Sequence, residues 1–124
     1  MTEKLLRAAR QARKNAYAPY SQFQVGAAVL TKDGRIFSGC NVENSTYGLT
    51  LCAERVAIFK AISEGYRQLV RVCIVAESDK FTPPCGACRQ IIWEFCGDVP
   101  ILMANLKGER KTVRCAELLP LPFE

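Results

Sequence analysis

Two short segments, Cys52-Ala53-Glu54 and Pro84-Cys85-Gly86-Ala87-Cys88, each stand where a loop runs into a helical pattern, in a chain with no histidine. If these cysteines act together, the fold has to bring two separate helix starts to one point. Helix starts suit that purpose, because their unpaired backbone N–H groups carry partial positive charge and stabilise thiolates. Cys85 and Cys88, three apart in a first turn, face the same way and can chelate one ion. Cys52 and Glu54 are two apart, which in mid-helix would turn them from each other by roughly 200°. They share a site only across a helix end, and the pattern places such an end near Leu51.

Around these segments the sequence alternates helices and strands. Thr2 is a candidate cap for a first helix with the apolar stripe Leu5, Ala9, Ala12 and Ala16. That helix ends near Tyr17-Ala18-Pro19-Tyr20, because a residue before proline resists the α conformation. Val25 to Thr31 and Arg35 to Asn41 read as strands joined by Lys32-Asp33-Gly34, where Asp-Gly is a strong hairpin signal. Leu51 to Glu64 is helical and apolar on several sides, with Thr50 as cap and Gly65 as stop, so this helix has to be buried. Arg71 to Ala76 suits an interior strand. A loop from Glu77 to Pro84 leads to a helix from Cys85 to Cys96, ended by Gly97. Then follow a strand from Ile101 to Asn105, a turn at Lys107-Gly108-Glu109, a weaker strand from Lys111 to Arg114 and a helical turn from Cys115 to Leu119. This order predicts an α/β fold, a three-layer α/β/α sandwich with a mixed five-stranded sheet. Its first two strands form an antiparallel pair and its later ones lie parallel through helical crossovers.

At 124 residues and 49% hydrophobic, the chain is expected to form one domain, residues 1–124, with a core that needs no disulfides. No apolar run approaches the roughly 20 residues of a membrane span, and the opening residues lead into a basic amphipathic segment rather than a signal-peptide core. A cytoplasmic protein without a membrane partner is expected. Seven cysteines fit that reducing setting, since an odd number cannot all pair. The charge of +5 could suggest nucleic acid, yet much of it is Lys4, Arg7, Arg10, Arg13 and Lys14 on the polar side of the first helix. A solvated face accounts for these residues, so no nucleic-acid partner is expected.

Three thiolates can hold Zn²⁺ and leave its fourth tetrahedral position to water, and a carboxylate two residues from the first ligand can move that water's protons. One zinc per chain, held by Cys52, Cys85 and Cys88, with Glu54 as proton shuttle, is the resulting expectation. Three thiolates leave the site with net negative charge, and Arg55 and Arg89, each next to a site residue, can offset it. Two other readings stay open. Cys-Gly-Ala-Cys looks like a redox dithiol, and three cysteines joined by a fourth would make a closed structural zinc site. Cys40, Cys73, Cys96 and Cys115 read as small buried residues.

Across nearly its whole length the sequence resembles the small homotetrameric zinc-dependent cytidine deaminases. The resemblance rests on Tyr20-Ser21-Gln22-Phe23-Gln24-Val25-Gly26-Ala27-Ala28, Gly39-Cys40-Asn41-Val42-Glu43-Asn44, Cys52-Ala53-Glu54-Arg55, Ser63-Glu64-Gly65-Tyr66, Pro84-Cys85-Gly86-Ala87-Cys88-Arg89-Gln90 and Glu117-Leu118-Leu119-Pro120. A Pro-Cys-x-x-Cys motif with a third ligand and a nearby glutamate is the signature of zinc nucleobase deaminases. The resemblance implies hydrolysis of cytidine and 2′-deoxycytidine to uridine and 2′-deoxyuridine in pyrimidine salvage. It also implies a homotetramer with shared active sites, in which Asn41 and Glu43 hold the ribose, Phe23 and Ala53 contact the nucleoside, and Phe123 reaches a neighbouring subunit's site. Arg55 would hydrogen-bond the thiolates. Pro83 departs from the family's usual serine, which leaves only its carbonyl to meet the substrate amine. Deamination of blasticidin S is the alternative within the enzymes.

Overall fold

Alternation along three central strands decides the layering of this protein, whose residues 1–124 are all described by a computed structural model. In β1 (Val25–Thr31), Ala27 and Val29 face one side of the sheet while Ala28 and Leu30 face the other. β3 (Leu69–Ala76) splits likewise into Val72 and Ile74 against Cys73 and Val75. β4 (Pro100–Ala104) gives Ile101 and Met103 to one side and Leu102 and Ala104 to the other. A strand that is apolar on both faces must be covered on both. Leu5, Leu6 and Ala9 of α1 (Thr2–Arg13) cover one face. Ala57, Ile58 and Ala61 of α2 (Ala53–Ser63), with Ile92 of α3 (Gly86–Cys96), cover the other. The expected three-layer sandwich is therefore the observed one.

The sheet has five strands in the order β2-β1-β3-β4-β5, with β2 at Ile36–Cys40 and β5 at Arg110–Arg114. β1 runs antiparallel to β2 and to β3, and β3 is parallel to β4 through the α3 crossover. β5 departs from the expected parallel order. It pairs antiparallel with β4, because the connection through Lys107 and Gly108 is a tight turn and a parallel partner needs a long crossover. A final turn, α4 (Cys115–Leu118), follows it.

Other boundaries also move. α1 has Met1 as its N-cap, and Thr2 is its first residue, with Oγ1 accepting from Arg71 of β3 at 3.0 Å. The helix stops at Arg13, so Ala16 lies beyond it, and Leu6 joins the buried stripe instead. Arg13 does more than face solvent: its Nε donates to the Gln24 carbonyl at 3.1 Å. A 3₁₀ turn at Tyr47–Leu49 precedes α2, and Thr50 closes that turn rather than capping α2.

The packing of two glycines sets how closely helices approach the sheet. A Cβ on Gly26 would lie 2.0 Å from the Ala9 carbonyl oxygen of α1, and one on Gly39 would lie 2.7 Å from Ala57 N of α2. α2 therefore sits directly on β1 and β2, and its N-terminus opens at the sheet end that carries Asn41.

Candidate active site

Both cysteine-bearing segments are N-terminal caps. Cys52 is the N-cap of α2 and Cys85 that of α3, each in extended conformation, and Cys88 lies in the first turn of α3. The predicted helix starts were thus one or two residues early, and the cysteines gain from the difference, since an N-cap side chain projects over the free N–H groups. The Sγ atoms of Cys52, Cys85 and Cys88 all lie within 4.8 Å of one another, with Cys52 and Cys85 separated by 3.8 Å. A tetrahedral zinc with Zn–S bonds of about 2.3 Å places its sulfurs roughly 3.8 Å apart. The three thiols fit such an ion, and no fourth protein ligand joins their cluster.

Arg55 lies against the thiols. Its guanidinium donates to Cys52 Sγ at 3.3 Å and to the Thr50 carbonyl at 3.0 Å, while its buried Nε has no partner. A hydrogen bond from Cys88 and the nearby Arg55 hold the Cys52 thiol well below its usual pKa. The same bond, together with burial, pushes Cys88 up. Arg89 behaves otherwise than expected. Its Nε donates to the Pro84 carbonyl at 2.9 Å and its Nη1 to the Leu118 carbonyl at 3.0 Å, so it braces the start of α3 instead of offsetting thiolate charge.

Glu54 is only 4% exposed. Burial pushes its carboxyl up to about 7, and the neighbouring Cys52 thiolate adds to the rise. Glu54, Ala53, Cys52 and Cys85 line one cleft of about 260 Å³ together with Phe23, Asn41 and Glu43. The cleft thus collects every predicted site residue except Cys88 and Arg55, which lie behind Cys52, and Phe123. Phe123 is 84% exposed. Its backbone N–H donates to Gln90 Oε1 at 3.0 Å and its carbonyl accepts from Gln90 Nε2 at 2.9 Å.

Asn41 and Glu43 reach the cleft because Val42 is pinned between two neighbours. Val42 bridges Leu51 on one side and Tyr17 on the other, which turns the flanking side chains inward. Asn41 Oδ1 accepts from Val25 N at 2.9 Å and Nδ2 donates to the Phe23 carbonyl at 2.8 Å. One Nδ2 hydrogen stays free. Glu43 Oε1 accepts from Tyr20 N and Ser21 N, both at 3.0 Å, and Oε2 accepts from the Ser21 hydroxyl. These bonds, those of Ser21 foremost, hold the Glu43 carboxyl below its usual range.

Ser21 is the residue that sequence reasoning missed. It lines the cleft, anchors Glu43 and accepts from Phe23 N at 3.1 Å. Its only sequence signal is a place in the Tyr20-to-Ala28 motif.

The model of the cytidine and deoxycytidylate deaminase zinc-binding region matches residues 1–103. The chain belongs to this family. A cytidine deaminase of Sporosarcina psychrophila is 51% identical over 98% of the chain and 90% of that protein. One of Halalkalibacterium halodurans is 52% identical over 96% of the chain and 91% of its own length. The crystal structure of cytidine deaminase from Burkholderia pseudomallei superposes with a TM-score of 0.95 at 44% identity, covering 99% of both chains. Membership of this zinc-binding deaminase family makes the chain a hydrolase and favours the open metal site over the redox dithiol. No helix is long and apolar enough to cross a membrane.

Proposed function

We propose that this protein hydrolyses cytidine and 2′-deoxycytidine to uridine and 2′-deoxyuridine, breaking the C4–N bond, forming a C4–O bond and releasing ammonia. The observation that carries the reading is a buried carboxyl, Glu54, that shares a cleft with Cys52 and Cys85, whose sulfurs lie with that of Cys88 within 4.8 Å of one another. Family membership supplies the reaction class. The reading places one zinc on Cys52, Cys85 and Cys88, where it supplies, when bound, a Lewis acid that makes water nucleophilic at neutral pH.

The protein's own groups divide the remaining work. Glu54 takes one proton from the attacking water and passes it to ring N3, then takes the second from the new C4 hydroxyl and passes it to the departing amine. Arg55 holds positive charge against Cys52 Sγ. The free Asn41 amide hydrogen and the remaining lone pair of Glu43 take sugar hydroxyls, and Phe23 and Ala53 bound the base. The Pro83 carbonyl is the acceptor for the substrate amine. Phe123, fixed at its backbone and exposed at its ring, is offered to an adjoining copy in a homotetramer with shared sites. Conversion of a salvaged nucleoside in the cytoplasm is the role that goes with this chemistry.

Ultraviolet monitoring of cytidine turnover by purified protein, with zinc measured on the same sample, tests the reading. One zinc per chain with deamination is expected. Zinc-loaded protein that leaves cytidine intact, or prefers blasticidin S, would overturn the substrate assignment.

A further inference from the structure

The wall of the cleft that contains Thr82 and Pro83 belongs to the irregular segment 77–84 between β3 and α3. No backbone–backbone hydrogen bond involves any residue of that segment. Two prolines within it have no N–H to give. Side chains must therefore hold it, and they do so at its two ends. Arg89 holds the Pro84 carbonyl at the α3 end. At the other end stands Asn105, the fully buried residue after β4.

Asn105 makes two distinct sets of bonds. Its Oδ1 accepts from Lys107 N at 2.9 Å and Glu109 N at 3.0 Å, which closes the β4–β5 turn. Its Nδ2 donates to Glu109 Oε1 at 3.0 Å and to the carbonyls of Ser78 at 3.2 Å and Lys80 at 3.5 Å. Turn closure explains the first set and leaves the second without a purpose. The exposed Lys107–Asp79 ion pair, at 3.1 Å, adds little to the tie between the two loops. Thr82 and Pro83 lie between the Asn105 and Arg89 posts, beside Cys85.

We propose that Asn105 is a positioning residue for the reaction: its amide fixes the segment that carries Thr82 and Pro83 and so sets how the substrate meets Glu54. The proposal rests on the deaminase reading above. A buried primary amide is the one short side chain that both closes the turn through its oxygen and ties a second loop through its nitrogen. Misplacement of a cleft wall by about 1 Å costs on the order of 10²-fold in rate.

Asn105→Asp combined with Glu109→Gln separates the two functions. Asp at 105 still accepts from Lys107 N and Glu109 N, Gln at 109 replaces a repelling carboxylate with a donor, and both bonds to the 78–80 carbonyls are lost. The double variant is compared with Glu109→Gln alone, which keeps them. Expected are one zinc per chain, cooperative unfolding, backbone order parameters at residues 78–82 falling to flexible values, below about 0.6, and kcat for cytidine lower by about tenfold to hundredfold. Glu109→Gln alone should match the wild type. A role in stability alone would lower Tm and leave kcat per zinc-loaded folded chain unchanged, and that result would overturn the proposal. So would wild-type order parameters at 78–82 in the folded double variant.

Should the double variant not fold, nitrogen-15 spectra of the wild type decide instead. Slow exchange of the Asn105 side-chain amide hydrogens is expected, and exchange as fast as that of exposed Asn15 would overturn the assignment. Failure of the wild type to deaminate cytidine would overturn the functional reading separately, and the order parameters and side-chain exchange would still judge the hold of Asn105 on the segment.

Discussion

Glu54 and Ser21 line the same cleft, and their truncation should damage different kinetic constants. Glu54 makes no bond that the fold depends on, so Glu54→Ala should keep the fold and the zinc while kcat falls by about 10²-fold to 10⁴-fold, as expected of a lost general acid–base. Steady-state kinetics with metal analysis on one sample checks this, and near-wild-type turnover would move the shuttle role elsewhere. Ser21 acts one step back. Without its hydroxyl, Glu43 loses one of its three hydrogen bonds and Phe23 N loses its acceptor. A hydrogen bond to a charged group is worth about 1.5–3 kcal/mol. Ser21→Ala should therefore raise KM for cytidine about tenfold or more with kcat nearly kept, because sugar contacts bind substrate and transition state alike. An equal fall in kcat and kcat/KM would instead place Ser21 in the chemical step.

At the scale of elements, Gly39 couples the sheet to the site. Its missing Cβ leaves room for Ala57 N and Val56 of α2, which a methyl would meet at 2.7 and 2.8 Å. Gly39→Ala must push α2 outward, at a cost of about 1–3 kcal/mol for overpacking. Because Cys52 and Glu54 ride on the first turn of α2, zinc affinity and kcat should fall along with Tm. Loss of Tm alone would mean that the helix start is held independently of its body. The same element shows what a sequence can and cannot reveal. The helix over Leu51–Glu64 was legible because its apolar residues and Gly65 are local signals, and the Asp33-Gly34 hairpin was legible for the same reason. The direction of β5 follows from the turn at Lys107-Gly108 and not from the alternation of elements, since a tight turn and a parallel partner are incompatible. Arg89 differs from the expectation for another reason: adjacency to a ligand in sequence says nothing about where a long side chain ends. The hold of Ser21 on Glu43 is the least legible feature, because Glu43 reaches Ser21 across 22 residues and only the folded Val42 bridge brings them together.

For the molecule as a whole, Phe123 is the residue that points beyond the single chain. A terminal segment is ordinarily frayed, yet Gln90 holds the backbone of Phe123 at both N–H and carbonyl, and Trp93 Nε1 donates to Glu124 at 3.1 Å. The ring lines no part of its own cleft. Tyr17, Tyr20, Tyr47, Leu49 and Leu51 are further exposed apolar side chains, on the segments that lead to the lining residues Ser21, Thr50 and Cys52. If the sites are shared as proposed, the Glu54 and Phe123 that serve one substrate come from different copies. Phe123→Ala should then lower kcat/KM for cytidine by up to about tenfold, the range of a lost aromatic contact, and Glu54→Ala should be nearly inactive. Co-expressed, the two variants should give mixed oligomers in which an intact Glu54 from one chain meets an intact Phe123 from another. Specific activity should exceed the average of the two variants purified separately and mixed without exchange. Activity equal to that average, in oligomers shown by mass spectrometry to contain both chains, would place the whole of each site within one copy.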